Sequence, residues 1–365
     1  MEFEPFQYMR YAKRLEYADG IFMAGSGMNK PRRDKLEFKE SDFSLDSLCS
    51  NYGDPRNIAW LAEKYGTTGD HVVMTAGSSE ANFLVYCAAL SAGDKVIIET
   101  PGYPQFTSLA SMIGAEVVRL PRRFENGFEP DIEEFKKLLD EQVRLVVLTN
   151  LHNPSMARMP RELMQEIVNL CAENGTIVLV DEVYIDHLKP GDGDENAFAL
   201  GDNVVVTSSL TKVYGLSGLR FGWAVGPTKL LNTMLDLIDI VDPELPTITQ
   251  NLANRALQNL GRLRPLARRL HEQNWPIVKE WADAREDVEY FHPPGGITVW
   301  LRIKDINETG NLTTIARNDY GVLVVPGEYF QSPGWLRIGY KIEPTAVREG
   351  LARLGKAIDD YQSHH

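Results

Sequence analysis

Cysteine is scarce in this chain: Cys49, Cys87 and Cys171 are the only three in 365 residues, and they share no paired spacing. That excludes a disulfide framework and a thiolate metal site, and it leaves the thiols as reduced residues of the kind a cytoplasmic protein carries. No apolar run reaches the roughly 20 residues that a membrane-spanning helix needs. The first residues, Met1-Glu2-Phe3-Glu4-Pro5, contain neither a basic nor an apolar segment, so no secretion signal is expected. Positive charge is also short: 38 Lys and Arg stand against 51 Asp and Glu, a formal net charge of −13. A broad nucleic-acid-binding surface is thereby excluded. No internal repeat and no low-complexity segment is present, and no metal site is expected.

What the chain does have is a recurring pattern. Short runs rich in Val and Ile, at Val72-Met74, Lys95-Glu99, Ala115-Leu120, Leu145-Thr149, Ile177-Val180 and Val204-Thr207, are separated by helical segments such as Glu80-Ser91, Ile132-Gln142 and Pro160-Asn174. Strands alternating with helices of about 10 to 15 residues predict an α/β three-layer sandwich with a mostly parallel sheet covered on both faces. After Val241 the pattern changes. Two long helical stretches (Thr249-Gly261 and Leu263-Ala284), strands at Ile297-Ile303, Val322-Val325 and Trp335-Tyr340, and a closing helix (Pro344-Tyr361) predict a smaller α+β domain. The expected division is a large domain over 46–242, a small one over 243–365, and an N-terminal segment, 1–45, that adds to the small domain and covers the site. Within that segment Tyr8, Tyr11, Leu15 and Ala18 form one helical stripe.

Chemistry in such a sheet collects at the carboxyl ends of the strands. After Val72-Met74 comes Thr75-Ala76-Gly77-Ser78-Ser79, a turn that opens a helix; it reads either as an anion seat or as a plain cap with Asn82 completing a capping box. Tyr103, in the stiff turn Pro101-Gly102-Tyr103-Pro104, can stack on a planar ligand or cap a core. Asn153 can offer an amide from a backbone fixed by Pro154, or can simply start a turn. Asp181 ends a fully apolar strand, which calls for a cationic partner, whereas the adjacent Glu182 points the other way and reads as structural. Lys212, in Ser208-Ser209-Leu210-Thr211-Lys212, follows the buried run Val204-Val206, with Arg220 shortly after it. A lysine in such a loop is poorly placed for solubility and well placed to form a Schiff base.

Taken together and in order, these residues resemble the fold-type I pyridoxal-phosphate enzymes of the class I/II aminotransferase family, over about Tyr52 to Tyr340. The resemblance implies a homodimer with shared sites that moves an amino group between an α-amino acid and a 2-oxo acid, with pyridoxal 5′-phosphate as cofactor. Lys212 would carry the cofactor, Asp181 would pair with its ring nitrogen, and Tyr184 and Asn153 would hold its phenolic oxygen. Tyr103 and Val183 would cover the two ring faces. Gly77, Ser78, Ser79, Ser209 and Arg220 would hold the phosphate, with Tyr52 reaching it from the partner subunit. Arg337, Asn153 and Gly25 would meet the substrate, Arg337 through the α-carboxylate. A lyase, cyclase or oxidase of the same fold is the alternative.

Three places depart from the family pattern. Asn153-Pro154-Ser155-Met156 lacks the usual glycine, so its loop is expected to turn differently; Asn57 stands at another usual glycine and can still visit left-handed geometry; and the segment from Met23 to Lys30 is rich in glycine. His152 reads either as facing the ligand or as a locally bonded loop residue, and Arg32 and Arg33 either as binding a distal carboxylate or as solvated.

Overall fold

The computed structural model describes residues 3–31, 36–45, 52–193, 195–241 and 243–364. The chain enters through helix α1 (Gln7–Leu15), whose Tyr8 and Leu15 are buried, and strand β1 (Ile21–Phe22). Seven strands then build the large sheet: β2 (Val72–Thr75), β3 (Lys95–Thr100), β4 (Glu116–Pro121), β5 (Val143–Thr149), β6 (Ile177–Asp181), β7 (Val204–Ser209) and β8 (Gly222–Val225). They lie in the order β2-β8-β7-β6-β5-β3-β4. All neighbours are parallel except at β8, which runs antiparallel to both β2 and β7. Sequence reasoning missed this strand. Only four residues long and without polar alternation, Gly222-Trp223-Ala224-Val225 carries no strand period.

Alternation along the strands builds two cores. Val204 and Val206 face one side with Val178 and Val180; Val205 faces the other with Leu179 and Val147. The first side is covered by α2 (Pro55–Tyr65), α5 (Ile132–Leu138) and α6 (Arg161–Asn174), and the second by α3 (Ser78–Ala89), α4 (Pro104–Ile113) and α7 (Thr228–Val241). Three layers result, as the strand and helix alternation predicts.

Two further helices, α8 (Thr247–Gln258) and α9 (Leu260–Asp283), follow with only Asn259 between them. Ala253, Ala256, Leu257, Leu263 and Ala267 still pack into the first core of the large sheet. The expected boundary at residue 243 therefore cuts through shared packing, and the change of core falls within α9, where Trp275, Ile277 and Val278 join the second domain. That domain holds β9 (Val288–Tyr290), β10 (Thr298–Ile303), α10 (Gly310–Asn318), β11 (Val322–Leu323), β12 (Val325–Pro326), β13 (Trp335–Gly339) and α11 (Pro344–His364). The single strand expected over 322–325 is split between two sheets: β11 pairs with β1, while β12 joins the four-stranded sheet β12-β13-β10-β9. Through β1 the N-terminal segment pairs with β11.

Candidate active site

The register of the large sheet sets the site. Thr149, Asp181 and Thr207 lie side by side at the carboxyl ends of β5, β6 and β7. Asp181 is 4% exposed; Asn82 Nδ2 donates to its Oδ2 at 3.0 Å and the Val183 amide to its Oδ1 at 3.1 Å. Thr207 Oγ1 in turn donates to Asn82 Oδ1 at 2.6 Å, which fixes the way the Asn82 amide points. Burial pushes the Asp181 carboxyl above its ordinary range, against the pull of Asn82, Val183 and the Lys212 ammonium. The reading of Asn82 as part of a capping box is therefore corrected: the residue before α3 is Gly77, no side chain caps it, and Asn82 serves Asp181.

Asp181 lines a cavity of about 530 Å³ together with Ser78, Ser79, Tyr103, Thr149, Asn153, Val183, Tyr184, Lys212 and Arg220. Gly77, at φ +98°, lets the start of α3 come close to Arg220: a Cβ there would stand 2.6 Å from Arg220 Nη2. Arg220 itself takes a left-handed backbone and donates from Nη2 to the Ala76 carbonyl at 2.8 Å. The first amides of α3 have no partner within the helix, so the helix start and the guanidinium face one volume. Lys212 Nζ donates to Ser26 Oγ at 3.1 Å and lies 5.8 Å from the centre of the Tyr184 ring. The Tyr184 hydroxyl is buried without a partner.

Arg337, on β13, is 1% exposed. Its Nη1 donates to Asn153 Oδ1 at 2.9 Å and its Nη2 to the Tyr8 hydroxyl, while its Nε is buried with no partner. Asn153 is held by its own amide, which donates to Thr149 Oγ1 at 3.0 Å. Not every anticipated residue reaches the cavity. Ser209 is 1% exposed, and its Oγ accepts from the Thr211 amide at 3.3 Å. Gly25 packs against Phe22 and Lys341, and its neighbour Ser26 meets Lys212 instead. Tyr52 is 45% exposed and donates to Asp239 Oδ2 at 3.0 Å, away from the cavity of its own chain.

His152 is the locally bonded loop residue of its two readings: Nδ1 lies 2.6 Å from Ser155 Oγ and Nε2 2.8 Å from the Pro101 carbonyl. Burial drives its pKa well down. Glu182 faces away from the cavity as expected, accepting from the Ala197 amide at 2.7 Å. Two of the departing positions are described. Met156 takes φ +63°, a left-handed residue where no glycine stands, and its side chain packs with Leu151, Val183 and Tyr184. Asn57 is helical within α2, its Nδ2 donating to the Gln250 carbonyl at 2.9 Å. Arg32, Arg33 and Cys49 lie outside the described residues.

Residues 30–354 match the family described as aminotransferase class I and II. The chain belongs to the class I and II aminotransferases. It is 33% identical to capreomycidine synthase of Streptomyces vinaceus over 84% of this chain and 79% of that protein. It is 30% identical to an arginine–pyruvate transaminase of Pseudomonas aeruginosa, covering 85% and 84%. A solved pyridoxal-phosphate-dependent aminotransferase from Streptococcus suis superposes with a TM-score of 0.91 over 99% of both chains at 24% identity, which speaks for the fold. This aminotransferase uses pyridoxal 5′-phosphate. The residues on the cavity wall fit that group: a buried carboxylate for a protonated ring nitrogen, an unpartnered phenol for its phenolic oxygen, and a helix start with an arginine for its phosphate.

Sequence reasoning missed several residues around this cavity. Asn82 and Thr207 orient Asp181, and Thr149 holds Asn153. From α1 and the residue before it, Phe6, Met9 and Lys13 line the cavity. The stripe on α1 signals that this helix docks but not where it docks.

Proposed function

We propose that Lys212 is the residue that carries pyridoxal phosphate in this aminotransferase. The observation behind this is that Lys212 lines the cavity together with Asp181 and Tyr184, whose hydroxyl is unpartnered. Bound there, the cofactor supplies an electron sink that makes the Cα proton of an amino acid acidic. Asp181 keeps the ring nitrogen protonated and Asn82 keeps Asp181 in place. Tyr184 and Asn153 hold the phenolic oxygen, Tyr103 and Val183 bound the ring faces, and Gly77, Ser78, Ser79 and Arg220 neutralise the phosphate. Arg337 grips the α-carboxylate and so fixes the Cα–H bond relative to the ring. The Lys212 amine, when free, would be the base that takes the proton from Cα.

The substrates on this reading are an α-amino acid and a 2-oxo acid in two ping-pong halves, in a homodimer. No helix among the described residues is long and apolar enough to cross a membrane. The free thiols of Cys87 and Cys171 support a cytoplasmic setting. A second reading, elimination or cyclisation on the same scaffold, is favoured by the likeness to capreomycidine synthase and by the altered Asn153-Met156 loop. One assay separates the two: a panel of amino acids with and without a 2-oxo acid acceptor. New amino acid formed only with the acceptor supports transamination, whereas ammonia or a cyclised product without it supports the second reading. In either case Lys212→Ala is expected to stay folded and to lose at least ~10³-fold in turnover. Turnover retained within tenfold would refute the assignment of Lys212.

A further inference from the structure

The substrate-carboxylate seat holds a residue that the transamination reading does not use. Tyr8, on α1, is 5% exposed, and its ring lies 5.1 Å from the Arg337 guanidinium, with Phe330 at 4.8 Å from the same group. The two rings close over a guanidinium that is itself 1% exposed. Of its polar edge, Nη1 is given to Asn153, Nη2 to the Tyr8 hydroxyl, and Nε to nothing. A buried guanidinium N–H without an acceptor is costly, and it is a donor that a ligand oxygen would satisfy. The Nε and Nη2 edge is the fork that a carboxylate matches with two parallel hydrogen bonds. Tyr8 already stands at one tine of that fork.

We propose that Tyr8 is a substrate-binding residue: its hydroxyl is the third hydrogen-bond partner of the α-carboxylate that Arg337 binds, and the group recognised is an anionic carboxylate. The inference rests on Arg337 being the carboxylate arginine. A phenol has one O–H to donate and lone pairs to accept. Without substrate it accepts from Arg337; with a carboxylate across Nε and Nη2, the O–H turns to the nearer carboxylate oxygen. The surroundings favour donation. Burial raises the Tyr8 phenol, but Arg337, Lys212 and the Ser26 hydroxyl together outweigh it and hold the phenol below its ordinary value, which strengthens the donor.

The same contact ties recognition to the seating of α1. Phe6 meets Tyr103 of the large domain edge-on at 5.4 Å, and the Tyr11 hydroxyl donates to the Val324 carbonyl of the small domain at 2.8 Å. A carboxylate bonded to Tyr8 therefore pulls on a helix moored to both domains. A neutral amide in the same place leaves the guanidinium without its anionic partner and is discriminated against.

The test is a titration of the holoenzyme with propionate and, separately, with its neutral counterpart propionamide. Tryptophan fluorescence reads it, because Trp300 and Trp335 pack at 5.4 Å from each other and Trp300 at 5.4 Å from Phe330. Tyr8→Phe keeps the ring and removes only the hydroxyl. The expected result is propionate bound about tenfold more weakly by Tyr8→Phe, with propionamide bound weakly and equally by both proteins. Hydrogen exchange adds a readout: propionate slows exchange of the α1 amides in the parent and fails to do so in Tyr8→Phe. Propionate bound as tightly or more tightly by Tyr8→Phe overturns the proposal, since the hydroxyl would then be a bystander or a competitor. Arg337→Gln separates the two levels. If it leaves propionate affinity unchanged, the carboxylate assignment of Arg337 fails and takes this inference with it; if it abolishes binding while Tyr8→Phe does not weaken it, only this inference fails.

Discussion

Two adjacent carboxylates at the end of β6 show how far one residue's placement decides its chemistry. Asp181 points into the cavity, where two donors hold it. Glu182 points away, with one oxygen on the Ala197 amide and the other buried without a partner. Burial, reinforced by the charges of Asp186 and Asp181, pushes its carboxyl up to about 8 against the Ala197 amide and Lys64. A carboxyl raised in the folded state contributes stability that is complete below its unfolded value near 4.5 and is lost as pH rises through about 8. At ~1.4 kcal/mol per unit, a few kcal/mol depend on this proton. Glu182→Gln keeps the acceptor for Ala197 and cannot ionise. Its urea-unfolding free energy should therefore fall less between pH 5 and pH 8 than that of the parent; parallel curves for the two proteins would show that another group titrates.

At the scale of elements, the strand ends were legible in the sequence, and what braces them was not. Asp181 stands out because a charge ending an all-apolar strand is costly without a partner, and Lys212 because it sits among hydroxyls in the loop after the buried β7. Asn82 does not, since an asparagine inside a helix has many uses and only the register of β6 against β7 brings it to Asp181. The same holds for Glu99 and Arg122, at the ends of β3 and β4, whose pairing only the fold brings about. Both side chains are fully buried and paired at 2.8 Å. Glu99 Oε1 accepts from the Thr149 amide at 3.0 Å, and Thr149 holds Asn153, which holds Arg337. Breaking one side of a buried pair strands the other charge, at ~3–5 kcal/mol. Glu99→Gln should lose stability on that order in urea unfolding and raise the KM for the amino acid, because Asn153 loses its brace. The double variant Glu99→Gln/Arg122→Met should recover much of the stability while keeping the raised KM. A KM unchanged in both would show the pair to be purely structural.

At the scale of the molecule, the residues around the cavity of one chain do not include every residue expected at the phosphate. Tyr52, which the family resemblance sends to the phosphate of a partner, is 45% exposed on its own chain and does not line its cavity. It is bonded to Asp239 on α7, beside Ile240 at 80% exposure and Val241 at 61%. Large apolar residues exposed together are costly to a monomer and ordinary at an interface between copies. Complementation tests the arrangement. Tyr52→Ala damages the site of the other protomer if Tyr52 acts across the interface, and Lys212→Ala damages its own. A mixed dimer then contains one site with both defects and one with neither, so unfolding and refolding the two inactive variants together should restore activity towards a quarter of the parental value, from half of the dimers being mixed with one intact site each. If Tyr52 serves its own chain, each site in the mixed dimer keeps one defect, and the mixture stays as inactive as its components.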